Sequence, residues 1–114
     1  LEPRQLVLNV SLRDLTPQTL VGCNNVLDDV EHCLKADTSP HLLEQLVGNR
    51  DFVTGTLGGV LRNRVALNPN LPTVFSPFGL GVLDLAVGSF VHRGCLRSGS
   101  GTRIPSFFGN TRRW

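Results

Sequence analysis

The chain has 114 residues, 40% of them hydrophobic and 18% charged, which suits one domain with a modest core and excludes the charge-rich composition of a disordered segment. Eleven basic against nine acidic side chains leave a net charge of +2, too slight for the clustered basic face of a nucleic-acid-binding domain. The longest near-apolar run, Phe78 to Val91, is interrupted by Asp84 and is shorter than the ~20 residues a bilayer requires, so neither nucleic acid nor membrane is an expected partner.

Gln5 to Ser11 reads as a first strand, β-rich and low in charge, in the manner of a strand covered on both faces. Thr16-Pro17 supplies an N-cap followed by proline at the first helical position, and starts a short helix to about Cys23. Asn25 to Val30 is a weaker second strand. Ser39-Pro40 repeats the cap-plus-proline signal and opens a helix through Val47, which Gly48 closes. A third helix is expected over Asp51 to Leu61, because Val53, Leu57, Val60 and Leu61 fall on one face. Its glycines, Gly55, Gly58 and Gly59, each cost up to ~1 kcal/mol of propensity.

Asn68 to Pro72 is a turn-forming linker. Thr73 to Ser76 is the strongest strand, followed by a Pro-Phe-Gly-Leu-Gly turn and an apolar helix from about Leu80 to Arg93. The tail from Leu96 is rich in glycine and serine, and ends in Arg103-Ile104-Pro105 and Arg112-Arg113-Trp114. Strands alternating with helices define an α/β class: a mostly parallel sheet with crossover helices over residues 1–95, then a tail over 96–114. Three strands leave both outer edges open. The chain is therefore expected to be a piece of a longer protein, and to associate with a second copy or with the remainder of that protein.

The residues themselves offer few sites. Cys23, Cys33 and Cys95 are an odd number at spacings that fit neither a disulfide framework nor a zinc site, so free thiols in the cytoplasm are expected, with no metal. Gly79 and Gly81 sit between a strand and a helix. A dinucleotide fingerprint would place a third glycine where Asp84 stands, and it fails. Two such glycines still let backbone amides approach a ligand, or simply make a tight turn. The acidic cluster Asp28, Asp29, Glu31 and His32 reads as a solvated strand end, since adjacent strand residues point to opposite faces. His41 has no nucleophile partner, His92 suits a helix C-terminus, and Asp84 a helix start. Asp14 follows the first strand, where a carboxylate reaches the crevice at the strand ends; capping the next helix is the competing role.

Four segments carry a resemblance. They are Leu8 to Leu15, Asn25 to Asp29, Gly48 to Val53, and above all Val74-Phe75-Ser76-Pro77-Phe78-Gly79-Leu80-Gly81-Val82-Leu83-Asp84-Leu85-Ala86. Together they resemble the C-terminal part of the ornithine cyclodeaminase/mu-crystallin family, nearest the 2,3-diaminopropionate biosynthesis dehydrogenases of siderophore and peptide-antibiotic pathways. The resemblance implies a partial Rossmann-like parallel sheet, the C-terminal half of a dinucleotide domain plus a tail, in an NAD-dependent oxidoreductase acting on a small amino-acid substrate, an amino acid–glutamate adduct whose oxidation and hydrolysis release 2,3-diaminopropionate and 2-oxoglutarate. It implies that Asp14 is catalytic, and that Ser76, Pro77, Phe78, Gly79 and Gly81 lie beside the nicotinamide. The phosphate-binding turn and the basic substrate-binding residues are expected upstream of Leu1, so these 114 residues alone are expected to be inactive. Two alternatives stand beside this reading: a deaminating lyase of the cyclodeaminase type, and a non-catalytic small protein that binds a partner.

Overall fold

The computed structural model describes residues 1–105, 107 and 109, so Arg112, Arg113 and Trp114 lie outside the described residues. The chain divides into two compact units, Leu1–Leu80 and Gly81–Trp114. In the first, β1 (Leu6–Leu8), α1 (Pro17–Leu20), β2 (Asn24–Leu27), α2 (Val30–Cys33), α3 (Ser39–Val47), β3 (Val53–Thr56), α4 (Leu57–Leu61) and β4 (Thr73–Ser76) follow in order. The strands form one sheet in the order β1-β4-β2-β3, and every pairing is parallel.

Residues in register point to the same face of a parallel sheet, and their neighbours along each strand to the other. Val7, Val74 and Asn25 therefore share a face with Leu27 and Ser76. On it Leu20 of α1, Leu43 of α3 and Val74 form a fully buried cluster, with Val7, Leu15, Cys23 and Phe52 packed around it. A second cluster joins Leu27 to Cys33 and Leu34. Both clusters draw on β2 or β4, the two central strands, which is where burial from both neighbours is available. β1 is an edge strand instead: Leu6 and Leu8 are 64% and 62% exposed. The expectation of a strand covered on both faces does not hold: Val7 packs on the core, but the opposite face, which carries Leu6 and Leu8, is open.

Buried amides fasten the sheet to its loops. Asn25 Nδ2 donates to the carbonyls of Leu20, Cys23 and Phe52 at 2.9, 3.3 and 3.3 Å, holding α1 and the entry to β3 against β2. Asn24 Nδ2 donates to the Asn68 carbonyl at 2.9 Å, and Asn24 Oδ1 accepts from Asn68 N at 2.9 Å. That reciprocal pair anchors the linker before β4.

The helix expected over Asp51 to Leu61 is in fact β3 followed by the single-turn α4. Val53, Thr54 and Thr56 are β-branched and favour a pleated edge, and the open side of β2 offers one. Thr54 Oγ1 accepts from Asn25 N at 3.0 Å where the β2–β3 register shifts. Thr56 then caps α4, accepting from Gly59 N at 3.2 Å. α2 was not expected from the sequence either: Asp29 Oδ1 caps it by accepting from His32 N at 2.9 Å. Other limits move slightly. α1 ends at Leu20 rather than Cys23, and the N-cap of α3 is Thr38, which places Ser39 inside the helix. Gly48, at φ +75°, closes α3 in the left-handed conformation as expected.

The second unit opens with α5 (Gly81–Ser98), longer than the expected helix, so His92 lies within it and Arg97 in its last turn. No residue of α5 is buried. Among the described residues no helix is long and apolar enough to cross a membrane.

The two glycines of α4 differ. A Cβ on Gly59 would meet Val65 Cγ2 at 2.7 Å, whereas one on Gly58 would meet only Arg62 Nη1 at 3.5 Å. Gly58→Ala should therefore raise the melting temperature by the helix-propensity gain of about 0.5–1 kcal/mol. Gly59→Ala should lower it through overpacking of about 1–3 kcal/mol. Thermal unfolding of the two variants side by side checks the expected opposite signs.

Candidate functional site

The C-terminal ends of the parallel strands share one edge of the sheet, and polar residues stand at or just past them. Asn9 follows β1, Asp28 follows β2, and Ser76 is the last residue of β4. The β1–β4 pairing continues one step past Leu8, since Asn9 N donates to the Phe75 carbonyl at 2.8 Å. This carries the Asn9 side chain to Ser76, where Nδ2 donates to Oγ at 3.1 Å. Asn9 and Ser76 are only 5% and 6% exposed.

Asp28 does the most bonding at this edge. Its carboxylate accepts from Phe78 N at 3.1 Å through both oxygens and from Gly79 N at 2.7 Å through Oδ2. Oδ1 also accepts from Asp29 N at 2.8 Å and from Cys33 Sγ at 2.9 Å. The backbone after β4 is thus fastened to the end of β2, and Gly79 adopts φ +98°, a conformation glycine takes without strain. The Cys33 thiol reaches the Ser76 carbonyl at 3.3 Å as well. Partial burial raises the Asp28 pKa, but the hydrogen bonds from Cys33, Phe78, Gly79 and Asp29 outweigh it and leave the carboxyl below its ordinary value. Burial, then the bond to Asp28, pushes the Cys33 thiol up to about 11, so it stays protonated and donates.

Between these groups lies a cavity of about 60 Å³. Asn9, Ser11 and Leu12 border it after β1, Cys33 and Thr38 on the α2 side, and Ser76, Pro77 and Phe78 after β4. Thr38 is held by its own hydroxyl, which donates to the Cys33 carbonyl and accepts from His41 N. A larger hollow of about 460 Å³, bordered by His92, Cys95 and Arg103, belongs to the second unit and contains none of the expected catalytic or cofactor-binding residues.

The structure brings Ser76, Pro77 and Phe78 to the cavity and ties Gly79 to Asp28. Gly81 begins α5 in the second unit. Asp14 lies exposed on the bend after β1, beyond Leu12; it does not border the cavity and makes no hydrogen bond or ion pair among the described residues. It is not a helix cap either, since Thr16 holds that position in α1. The acidic cluster is not one solvated strand end. Asp28 holds the turn, Asp29 caps α2, and Glu31 pairs with Arg50 at 2.6 Å, which Glu44 also meets at 2.6 Å. Asn9 and Cys33 were missed as site residues. A lone amide inside the apolar run Leu6 to Val10 was the available signal for Asn9.

No family model and no curated protein matches the chain. Among solved structures it is similar to CmnK, with 32% identity, a TM-score of 0.75, and coverage of 93% of this chain and 33% of the CmnK chain. The chain thus spans about a third of the length of that relative. All-parallel pairing, helical crossovers and this likeness define the class: part of a Rossmann-like α/β domain.

Asp28→Asn removes the charge from a carboxylate that serves four donors. Hydrogen bonds to charged groups contribute about 1.5–3 kcal/mol, and solvent screening at this half-buried site reduces that to ~1–2 kcal/mol. The substitution should lower the melting temperature at neutral pH accordingly. The folded-state pKa lies below the unfolded value, so the stabilisation is fully present above about pH 4 and is lost as pH falls through the folded value. Melting curves between pH 7 and pH 2 should show the gap between the two proteins close in acid.

Proposed function

We propose that this chain is the part of an NAD-dependent oxidoreductase that borders the nicotinamide and the substrate, akin to the ornithine cyclodeaminase/mu-crystallin family and nearest its 2,3-diaminopropionate-forming branch. One observation carries the reading: a polar-lined cavity at the C-terminal edge of a parallel sheet, bordered by the Ser76-Pro77-Phe78 segment. Ligands of open α/β sheets bind at that edge. The likeness to CmnK over a third of its length agrees with a chain that works as one portion of a larger unit.

The residues fit one end of the cofactor. Asn9 and Ser76 offer polar partners in the cavity, whereas the sequence contains no Gly-x-Gly-x-x-Gly turn to hold the pyrophosphate. These 114 residues by themselves are therefore not expected to bind NAD at micromolar concentration. Bound NAD supplies the hydride acceptor. On the protein side, the turn held by Asp28 orients the reacting parts. The Asp14 carboxylate stabilises positive charge on the substrate nitrogen as the glutamate α-carbon loses hydride, or takes a proton from the water that then adds to that carbon. Cleavage of the carbon–nitrogen bond releases 2,3-diaminopropionate and 2-oxoglutarate. In this reading the enzyme is cytoplasmic, and the open edge at β1 meets a second copy or the rest of the enzyme.

Turnover of the amino acid–glutamate adduct by the enzyme expressed from its whole reading frame tests the proposal. NADH and 2-oxoglutarate should appear in equal amounts; ammonia release without net NADH would assign the deaminating lyase instead. Asp14→Asn should lower kcat by about 10² to 10⁴, the range of a positioned acid or base, with KM within a few-fold. Its melting temperature should not move, because Asp14 is exposed and unpartnered among the described residues. Unchanged turnover would remove Asp14 from the site.

A further inference from the structure

The turn that leads into α3 is left-handed at two consecutive residues, neither of them glycine. Ala36 and Asp37 have φ +55° and +51°, and Thr38 N donates across them to the Lys35 carbonyl at 3.3 Å. Turns with both central residues at positive φ favour glycine, asparagine and aspartate. Alanine has no polar side chain to offset the crowding of its Cβ there, so such a turn persists only where its surroundings hold it. His41 holds it twice. Its backbone N donates to Thr38 Oγ1 at 3.1 Å, and its ring Nδ1 accepts from Asp37 N at 3.1 Å.

The ring bond depends on protonation. A peptide N–H only donates, so Nδ1 is bare and the neutral ring carries its proton on Nε2. Gln45 Nε2 lies 3.1 Å from His41 Nε2, and both ring nitrogens cannot accept at once. Gln45 has a second acceptor in Asp37 Oδ1 at 3.2 Å, whereas Asp37 N has no other among the described residues. That difference selects the bare Nδ1. The cation has a proton on both nitrogens and offers Asp37 N nothing; its Nδ1 meets instead the carboxylate of the same residue, with Asp37 Oδ1 3.5 Å away. Other charged groups nearby are engaged elsewhere or make no ion pair with the ring. Glu31 and Glu44 pair with Arg50, and His32 with Asp29. α1, which packs on α3, has no ionisable side chain. Arg13 and Asp14, on the bend whose Leu12 carbonyl receives Ser39 N, and Lys35 of the turn itself form no ion pair among the described residues.

The turn bears on the cavity through Thr38, which caps α3, donates to the Cys33 carbonyl and borders the cavity while nearly wholly buried. We propose that the His41 ring is a proton-operated latch on the turn at residues 35–38: neutral, it holds the turn that presents Thr38 to the cavity, and protonated, it releases it. Histidine ordinarily changes charge between about pH 5 and 8, and the His41 side chain is 24% exposed, so protons reach it. The latch goes beyond the oxidoreductase reading and acts whichever ligand the cavity takes.

Nitrogen-15 NMR of the imidazoles in the labelled chain tests the latch, with His32 as internal contrast. His32 Nδ1 faces the Asp29 carboxylate at 2.9 Å and so carries a proton, whereas His41 Nδ1 should be bare at about pH 8. A protonated His41 Nδ1 there would overturn the proposal. As pH falls through the His41 titration, the Asp37 amide should lose about three- to tenfold of its protection from hydrogen exchange, corrected for the intrinsic rate, as one lost hydrogen bond implies. The Thr38 and Cys33 amide shifts should move with the same midpoint. An Asp37 response that does not reach Thr38 would overturn the link to the cavity, and no response at Asp37 would overturn the latch. Ala36→Gly relieves the left-handed crowding, so it should keep the turn closed in acid and shrink the Thr38 step; a step of unchanged size would mean that the turn needs no latch. His41→Phe should give the acid exchange rate at Asp37 at every pH, and Ala36→Gly decides if that variant fails to fold. In the protein expressed from its whole reading frame, the peptide covering residues 35–41 should show the same step in exchange, and its absence there would equally overturn the latch.

Discussion

The Asp28 carboxylate joins the end of β2 to the nearby helix α2 and to the distant segment after β4. It follows β2, it receives the Cys33 thiol of α2, and it collects the amides of Phe78 and Gly79 some fifty residues later. Backbone N–H groups that leave a strand end need acceptors when they are not in the ladder. Here one ionised side chain supplies them, and charge-assisted bonds are the strong kind. The segment after β4 therefore has one path, and Ser76, Pro77 and Phe78 border the cavity because of it. Cys33 completes the arrangement: a thiol whose pKa is raised remains a donor, where a thiolate would repel the carboxylate.

Polar residues hold this small unit together as much as apolar ones do. Two compact clusters, centred on Leu20, Leu43 and Val74 and on Leu27, Cys33 and Leu34, make up the core. Around them Asn9, Asn24 and Asn25 are nearly wholly buried, each with an amide that bonds across a gap in sequence. Buried amides are costly unless satisfied. Asn24 and Asn25 are satisfied by the carbonyls of neighbouring loops, which fixes where those loops run. Asn9 donates instead to the Ser76 hydroxyl, which joins the ends of β1 and β4 beside the cavity.

The alternation of strand and helix was legible because its signals are local. Thr73 to Ser76 is β-branched and aromatic and borders a proline, Thr16-Pro17 and Gly48 are helix punctuation, and each stands where the sequence places it. The Asp51–Leu61 segment misled for an equally physical reason. Val53, Leu57, Val60 and Leu61 satisfy the helical period, yet the segment's β-branched residues meet an open strand edge, and Val65 packs where side chains on Gly55 and Gly59 would stand. Tertiary pairing overrides a short apolar period.

The candidate site divides along the same line. The sequence by itself determined that the chain is an α/β parallel fold, that the Pro77–Gly81 run leaves the strongest strand, and that Asp14 follows the first strand. Those features depend on neighbours a few residues apart. Only the tertiary structure decided that Asp28 is a turn holder rather than a solvated acid, that Asn9 meets Ser76, and that Asp14 stands outside the cavity. Asn9 and Ser76 are 67 residues apart, and Asp28 and Gly79 are 51. Such pairs are made by the register of β1, β4 and β2, and register is set by which faces of the sheet can be buried together, which no local stretch of sequence specifies.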